Sequence, residues 1–474
     1  MKVHLVLPAA EHLRVTKETK EVPRREMLRF SVLPLTTVAA LTPPEHEVML
    51  CDENVEALDF DAEVDVVGVS FMTALAPRAY EIAAEFRKRG KVVVAGGFHP
   101  TLCPVEASRH FDAVVIGDAE GLWPRVLADV EAGRVQNVYR HDTLPDLSSV
   151  PVPRRDLTEK TARHYATTNA VQTGRGCAHG CRYCSVTAFH RRTHRSRPLG
   201  DVLEELRRLP REFMFVDDNI IGDRAYARDL FASMVPLGKR WVSQCSIEIA
   251  DDPELLDLAK RAGCKGLFIG IETFSAENLA RMDKGFNDSG RYLERIRTIR
   301  KTGIGVLAGM IVGLDGDDVG VFERTLGFLQ KARISALQLN ILTPLPGTPL
   351  YEDFRRTGRI LNRDWAHYDF RHAVIRPAQM TSRQLQAGAD WLYRQFYRPD
   401  RAVLRTLREL FTMGPTLAVL TWRLNRTYRY DNRRERITGR NPARRPWQEQ
   451  LIDRIAGVEE RLMRWALKWR RTRI

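Results

Sequence analysis

The fold of this chain is decided by one short stretch, Gly174-Arg-Gly-Cys-Ala-His-Gly-Cys-Arg-Tyr-Cys-Ser185, which spaces three cysteines as Cys-x3-Cys-x2-Cys. Three thiolates on one tight loop can hold three irons of a [4Fe–4S] cube. A cluster that only carries electrons is usually closed by a fourth cysteine, so this loop leaves one iron open to another ligand. The glycines at 174, 176 and 180 let the backbone wrap closely around the cube. The stretch therefore predicts a [4Fe–4S] cluster held by Cys177, Cys181 and Cys184.

The alternative for the same loop is a structural zinc site. Zinc sites usually combine a Cys-x2-Cys pair with a second, distant pair of ligands. The remaining cysteines stand singly in apolar segments, as cysteines of a hydrophobic core do: Cys51, Cys103, Cys245 and Cys264. The lack of a second pair favours the iron–sulfur cluster.

Length and composition set the general class of the protein. A chain of 474 residues is long enough for two or three domains with sizeable cores. The number of cysteines is odd, and the opening Met-Lys-Val-His-Leu-Val-Leu-Pro is typical of a buried strand, not of a secretory leader. We therefore expect a reducing, cytoplasmic location. No apolar run reaches about 18 residues, so no membrane-spanning helix is expected.

The first 350 residues predict an α/β protein with two sheets. Apolar strands at 3–8, 47–51, 64–70, 92–96 and 113–116 alternate with helical patterns such as 77–89, which predicts a Rossmann-like, doubly wound parallel sheet over residues 1–140. Residues 141–165 contain three prolines and are interpreted as a linker. Residues 166–350 repeat the strand–helix rhythm, with strands at 168–173, 213–216, 241–249, 266–272, 305–314 and 336–342. Six such units predict an incomplete (β/α)6 barrel with its polar residues at the carboxyl ends of the strands.

Residues 351–474 are interpreted as a helical, basic extension. The net charge of the whole chain is +14, and residues 401–474 contain 19 Lys and Arg against 7 Asp and Glu, a net charge of +12. Segments 403–411 and 448–469 have apolar residues at helical spacing with arginine on the other side. The basic character therefore belongs to the tail and not to the predicted barrel.

The chain resembles the radical S-adenosylmethionine enzymes that carry a cobalamin-binding domain. Tyr183, just before the third cysteine, fits their cluster loop. Further matching segments follow in the expected order: Phe215-Val-Asp-Asp-Asn219, Gly270-Ile-Glu272, Ala308-Gly-Met-Ile-Val-Gly-Leu314 and Leu342-Thr-Pro-Leu-Pro-Gly-Thr-Pro-Leu350. The resemblance implies that S-adenosylmethionine is bound by Tyr183, Asp217, Asp218, Glu248, Glu272 and Gly313. Taken singly, each polar residue of this set also fits a helix cap or a structural ion pair.

The first half resembles the domain that binds cobalamin in this group. Many cobalamin proteins place a histidine under the cobalt with the motif Asp-x-His-x-x-Gly, whereas this chain has Asp52-Glu-Asn54-Val-Glu-Ala57. The resemblance therefore implies either cobalamin bound without a lower imidazole or a domain that has lost its cofactor. The residues expected at cobalamin are Asp52, Asn54, Ser70, Gly96, Gly97, His99, Gly117 and Glu120. Several are glycines, which permit close approach of the backbone to a large corrin.

The activity implied by the resemblance is reductive cleavage of S-adenosylmethionine to methionine and a 5′-deoxyadenosyl radical. With cobalamin as the methyl carrier, the product is a lipid or secondary metabolite methylated at an unactivated carbon. One alternative keeps the radical chemistry for an oxidative cyclisation or rearrangement without methyl transfer. Another is a non-catalytic iron–sulfur protein that transfers or senses electrons. The expected partners of an enzyme are a small-molecule or lipid substrate and a one-electron donor such as a flavodoxin or ferredoxin.

The tail bears on where the enzyme works. Leu462, Trp465 and Trp469 lie among arginines in the last predicted helix, a composition that suits an anionic membrane surface. Lipid-modifying members of the resembled group, hopanoid methylases among them, also have a C-terminal helical extension. The alternative is a packed helical lid with a solvated arginine face. Nucleic acid is disfavoured because no RNA-binding module is present. The expected location is the cytoplasm, either free or peripheral on the inner face of the membrane.

Overall fold

The computed structural model describes residues 1–18 and 32–437. Residues 1–429 form one unit, and Tyr430–Ile474 belongs to a second. The predicted helix at 448–469, with Leu462, Trp465 and Trp469, lies outside the described residues.

The N-terminal sheet has six parallel strands in the order β2-β1-β3-β4-β5-β6. Its strands are β1 (Lys2–Leu7), β2 (Glu47–Asp52), β3 (Val66–Ser70), β4 (Val92–Gly96), β5 (Ala113–Ile116) and β6 (Val138–Arg140). Its helices are α1 (Leu33–Leu41), α2 (Ala76–Lys88), α3 (Phe98–Leu102), α4 (Pro104–Ala107) and α5 (Leu122–Glu131). The predicted doubly wound sheet is confirmed, and β6 is an edge strand that the sequence pattern did not indicate.

Helices cover this sheet on both faces, and its strands β3, β4 and β5 are apolar at almost every position. Val66 and Val94 pack into one core, whereas the adjacent Val67 and Val93 pack into the other. Side chains alternate between the faces of a strand, so an unbroken run of valines supplies both cores. The polar residues that follow the strands are thereby confined to the sheet's carboxyl edge.

The second sheet has six parallel strands in the order β14-β13-β12-β11-β10-β7. These are β7 (Ala170–Val171), β10 (Glu212–Phe215), β11 (Arg240–Cys245), β12 (Cys264–Glu272), β13 (Gly305–Val312) and β14 (Ala336–Ile341); β8 (Gly174–Gly176) and β9 (His194–Ser196) form a separate antiparallel pair. The helices of this region are α6 (Ser185–Phe189), α7 (Leu199–Arg208), α8 (Arg224–Met234), α9 (Pro253–Arg261), α10 (Ala276–Arg281), α11 (Tyr292–Lys301) and α12 (Val321–Lys331). The predicted six-stranded partial barrel is confirmed.

Two predicted strands are shorter than expected. The strand predicted at 168–173 stops at Val171, and the chain then turns into β8. The strand predicted at 241–249 ends at Cys245, because Ser246 caps a 3-10 helix, Ile247–Asp251, by accepting the N–H of Glu248. Glu248 therefore sits on a turn beyond the strand end.

The C-terminal helices are α13 (Pro349–Arg356), α14 (Ser382–Phe396), α15 (Pro399–Thr412) and α16 (Pro415–Ile437). Thr381 and Gln384 form a capping box at the start of α14, and the Tyr397 hydroxyl just after it donates to the Leu337 carbonyl of β14 at 2.6 Å. Within the described residues, no helix combines the length and the apolar character needed to cross a membrane. The expected solvated arginine face is wrong for α15, because Arg405 and Glu409 face inward and are buried.

Candidate functional site

The cysteine loop runs from β8 to α6 and is fixed at both ends. The Gly176 N–H donates to Asp218 Oδ2 at 2.9 Å, and the Arg182 backbone donates to the Met282 carbonyl at 3.2 Å. Gly176 has φ +84°, and a Cβ there would lie 2.2 Å from the Thr193 carbonyl oxygen. Only glycine meets both conditions without a shift of backbone.

Asp217, the first acid of the predicted nucleoside segment, serves the backbone just before this loop. Its Oδ1 accepts the N–H of Thr173 at 3.0 Å, the Thr173 hydroxyl at 2.6 Å and the N–H of Gly174 at 2.6 Å. Burial raises the pKa of Asp217 to about 7. The carboxyl group thus positions the entry to the cysteine loop, while Asp218 remains partly exposed beside it.

The three loop thiols form one group. Cys181 is buried, whereas Cys177 and Cys184 are half-buried. Burial raises the pKa of Cys181 to about 11, and the thiols of Cys184 and Cys177 add to this rise. Metal coordination is what stabilises thiolates under such conditions. The loop supplies three thiols for three irons of a [4Fe–4S] cube. The other four cysteines lie in different elements and supply no fourth ligand from this loop: Cys51 in β2, Cys103 between α3 and α4, Cys245 in β11 and Cys264 in β12.

Glu272, Lys284 and Tyr183 form a buried polar cluster beside the cysteines. Lys284 Nζ lies 2.9 Å from Glu272 Oε1 and 3.2 Å from the Tyr183 hydroxyl. Burial alone would lower the pKa of Lys284, but Glu272 and the thiols of the loop raise it above its ordinary value. Lys284 in turn lowers the pKa of Cys177 and Cys181 against the effect of their burial. The sequence analysis missed Lys284, which no motif marks.

The backbone at Glu272 is unusual. Its φ is +64°, and the register between β12 and β13 slips between Gly270 and Glu272. A Cβ at Gly270 would lie 2.5 Å from Glu272 Oε1. A non-glycine residue held at positive φ is typical of functional sites, where the surrounding structure compensates for the strain.

A second acid reaches the cysteine loop through His179. The His179 ring stacks on Phe286 with centroids 3.6 Å apart, and its Nε2 lies 3.4 Å from Glu248 Oε2. The hydrogen bond with His179, followed by that with Ser246, lowers the pKa of Glu248 to about 2. Glu248 is thus held as a carboxylate at the end of β11. His179 was not among the predicted residues, although it lies inside the quoted loop.

Gly313 follows β13 in a tight turn. Its φ is +95°, and a Cβ would lie 2.8 Å from the Leu385 side chain of α14. Its N–H donates to Asp317 Oδ2 at 2.9 Å. Apart from Tyr183, which lies in the cysteine loop, the residues predicted to bind S-adenosylmethionine stand at the carboxyl ends of four successive barrel strands, after β10 and β11, at the end of β12 and after β13.

The carboxyl edge of the N-terminal sheet is open at two of its glycines. A Cβ added at Gly96 or at Gly117 would meet no atom within 4 Å. A cavity of about 280 Å³ opens there, lined by Thr101, Gly117 and Phe189 among other residues. Gly97, in contrast, is required for packing, because its Cβ would lie 3.0 Å from Phe71 and 3.1 Å from the half-buried Ser70 hydroxyl. Open glycines at strand ends fit a broad, flat ligand such as a corrin.

The side chain of Asp52 is hydrogen-bonded to Asn54. The backbone N–H and the Nδ2 of Asn54 donate to Asp52 Oδ1 at 2.9 and 2.7 Å, and the Tyr165 hydroxyl donates to Oδ2 at 2.9 Å. The amide is thereby turned back onto Asp52. This arrangement supplies no imidazole from the motif position and fits cobalamin bound without one.

Two of the residues expected at cobalamin already have partners within the protein. His99 is fully buried, with its ring nitrogens 3.0 Å from the Tyr80 hydroxyl and 3.3 Å from the Thr73 hydroxyl. Its place at cobalamin stays a prediction. Glu120 is also buried, and its two oxygens accept from Arg175 at 2.7 and 2.9 Å. Its carboxylate is turned towards the second sheet.

Buried ion pairs join the edge of the first sheet to the cysteine loop. Arg175, which stands between Gly174 and Gly176, donates to Asp118 at 3.0 Å as well as to Glu120. Arg195 of β9 donates to the other oxygen of Asp118 at 2.8 Å. Neither arginine was predicted, because their partners lie more than 50 residues away in the chain.

Comparison with known proteins agrees with this geometry. Residues 171–329 match the Radical SAM superfamily, and residues 31–127 match the B12 binding domain. The chain is 31% identical over 385 residues to the bacteriochlorophyllide d C-12(1)-methyltransferase of Chlorobaculum tepidum, covering 79% of this chain and 84% of that protein. It is 30% identical over 347 residues to the hopanoid C-2 methylase of Rhodopseudomonas palustris, covering 70% and 65%.

A solved structure shares the fold. The radical S-adenosylmethionine methyltransferase TsrM from Kitasatospora setae, solved with tryptophan and an analogue of S-adenosylmethionine, superposes with a TM-score of 0.65 at 17% identity. The match covers 93% of this chain and 100% of that structure.

Proposed function

This chain belongs to the radical S-adenosylmethionine enzymes that carry a B12-binding domain, and from that premise we propose that it methylates an unactivated carbon of a lipid or secondary metabolite. When bound, the [4Fe–4S] cluster and S-adenosylmethionine supply a 5′-deoxyadenosyl radical, and cobalamin supplies the methyl group. The observation that carries the proposal is the direct contact of Arg175, two residues before Cys177, with Asp118 and Glu120. These contacts support the proposal because they join the start of the cysteine loop to the carboxyl edge of the N-terminal sheet.

The protein's own residues have separable tasks in this proposal. Cys177, Cys181 and Cys184 hold the cluster, and Lys284 favours the thiolate forms of Cys177 and Cys181. Glu272 and Glu248 present carboxylates at neighbouring strand ends, where they can orient the nucleoside. Radical chemistry also requires a site closed to water. Phe98 and Phe189, with ring centroids 4.7 Å apart, pack across the junction of the two regions and help to exclude it.

The substrate class follows from the relatives. Their names specify a bacteriochlorophyllide and hopanoids, which are both large, hydrophobic, polycyclic molecules. We therefore propose a substrate of this hydrophobic type, an external one-electron donor of the flavodoxin or ferredoxin class, and a peripheral location at the membrane where such substrates reside.

The proposal is tested with anaerobically reconstituted protein, S-adenosylmethionine and dithionite, with and without hydroxocobalamin, supplied with bacteriochlorophyllide d or a desmethyl hopanoid. We expect both 5′-deoxyadenosine and S-adenosylhomocysteine, the latter only when cobalamin is present. Cys181→Ser abolishes both products, whereas the matched control Cys245→Ser, a buried cysteine outside the loop, retains them. Formation of 5′-deoxyadenosine alone in every sample would instead support cyclisation or rearrangement, and absence of both would support an electron carrier.

A further inference from the structure

Helix α15 is amphipathic, but unlike a normal surface helix it turns polar side chains inward and apolar side chains outward. Its buried positions include Arg405, Thr406 and Glu409, whereas the exposed positions between Leu404 and Phe411 are all apolar. The exposed fractions are 65% for Leu404, 44% for Leu407, 36% for Leu410 and 83% for Phe411. A helix of a monomeric soluble protein usually turns its apolar stripe to the core.

Specific polar contacts fix this orientation. Arg405 donates to Asn425 Oδ1 at 2.6 Å, and its guanidinium lies 3.9 Å from the centroid of the Phe396 ring. Glu409 is fully buried and pairs with Arg300 of α11 at 3.0 Å. Rotating α15 to hide its leucines would break this buried pair and leave the charge of Arg300 without its partner inside the protein. The outward apolar face is therefore a stable feature of the fold.

The exposed side chains form one continuous surface. Positions 404, 407 and 411 share a face of a helix, since they follow the i, i+3, i+7 spacing, and Leu410 widens that face. Contiguous apolar surface on a soluble protein marks an interaction site. We call Leu404, Leu407, Leu410 and Phe411 the α15 face.

Positive charge lies along one edge of the α15 face. Arg401 and Arg408 stand three residues before and four residues after Leu404, which makes both its neighbours on the helix surface. Arg401 donates to the Gln395 carbonyl at 2.7 Å, a contact that leaves its charge uncancelled. Arg408 pairs with Glu409 at 3.2 Å, but Glu409 also pairs with Arg300, so these three side chains together keep one positive charge. The acidic residue near the start of the helix, Asp400, is paired with Arg398 at 3.1 Å.

We propose that the α15 face docks the enzyme on an anionic lipid bilayer. The apolar side chains enter the boundary between headgroups and acyl chains, and the arginines at the edge meet anionic headgroups. Charge complementarity selects this occupant, because residues 401–429, which include α15 and the start of α16, contain six arginines and one glutamate, a net charge of +5. A second copy of the chain would bring two such basic regions together. Nucleic acid would be met by outward arginines and not by outward leucines.

The test uses the full-length, reconstituted protein in a flotation assay with phosphatidylglycerol–phosphatidylcholine vesicles and with pure phosphatidylcholine vesicles. We expect binding to the anionic vesicles that weakens with salt. The triple variant Leu404→Ser, Leu407→Ser, Phe411→Ser should lower the partition coefficient at least tenfold. The matched control removes three exposed apolar side chains elsewhere, Val105→Ser, Val319→Ser and Leu361→Ser, and should bind like the wild type. Unchanged circular dichroism and iron content show that each variant is folded.

Three results would overturn the proposal. Equal binding of wild type and triple variant would place any membrane contact elsewhere in the chain. A wild-type dimer that dissociates in the triple variant, without vesicle binding, would assign the face to a second copy. Binding to RNA in place of vesicles, or no binding at all, would likewise exclude it. None of these outcomes depends on methyl transfer, so the proposed reaction is tested separately, and only the proposed membrane location is shared by the two proposals.

Discussion

Gly176→Ala is the substitution whose cost can be worked out most directly from the structure. Gly176 has φ +84°, a region that costs an L-residue about 1–2 kcal/mol. The new Cβ would also lie 2.2 Å from the Thr193 carbonyl oxygen and 2.9 Å from the His190 Cβ. Relieving such overpacking typically costs about 1–3 kcal/mol. Because Gly176 directly precedes Cys177, we expect a loss of about 2–5 kcal/mol in the free energy of unfolding, together with reduced iron content.

Gly133→Ala separates these two contributions. Gly133 has φ +64°, but a Cβ there meets nothing within 4 Å, so only the backbone cost of about 1–2 kcal/mol applies. Urea unfolding of both variants, with iron and sulfide determined after reconstitution, gives the comparison. If Gly176→Ala costs no more than Gly133→Ala and binds iron fully, the reasoning that the cysteine loop requires glycine at 176 is refuted.

Three further predictions follow from buried charges. Glu120→Gln should destabilise the protein by about 3 kcal/mol in urea unfolding, because breaking a buried pair costs about 3–5 kcal/mol and Asp118 still accompanies Arg175. Glu85→Gln, in an exposed pair, should leave the urea midpoint nearly unchanged, and equal losses in the two variants would contradict the account. Lys284→Met should slow alkylation of Cys177 and Cys181 in the apoprotein several-fold at pH 8, because Lys284 lowers the pKa of both thiols. Lys88→Met, at an exposed lysine, is the control. An unchanged alkylation rate in Lys284→Met would exclude this role for Lys284. Contacts from His99, then Trp365 and Tyr80, lower the pKa of Glu106 from 4.5 to about 2, so this group contributes stability above about pH 4.5 that is lost as pH falls towards 2. Glu106→Gln should therefore reduce the fall in the free energy of unfolding between pH 4.5 and pH 2. If the free energy of unfolding falls equally in the variant and the wild type over this range, Glu106 does not contribute.

The local parts of this molecule were predictable from sequence. The cysteine spacing specifies the cluster loop, since all three ligands lie within eight residues. Unbroken valine runs specify strands buried on both faces, and polar residues after such strands must meet at one edge. For this reason the residues after β10, β11 and β13 were found before their geometry was known.

The parts that the sequence did not predict depend on long-range pairing. Lys284 meets Tyr183 across 101 residues, and Arg175 meets Glu120 across 55 residues. His99 and Glu120 were expected at cobalamin because they follow strands, and both are buried with partners taken from other elements. Hydrophobic periodicity in α15 predicted the helix but not which face is buried, because Arg405 and Glu409 find partners on α16 and α11.

The central claim, that one site holds both cofactors, is tested most directly by the metal content of a single sample. The protein is reconstituted anaerobically with iron, sulfide and hydroxocobalamin, passed through a gel-filtration column, and analysed for iron and cobalt per chain. The account predicts about four iron and about one cobalt per chain in the same fraction. A fraction with the iron but without cobalt would contradict it, and would mean that the N-terminal sheet does not hold the corrin.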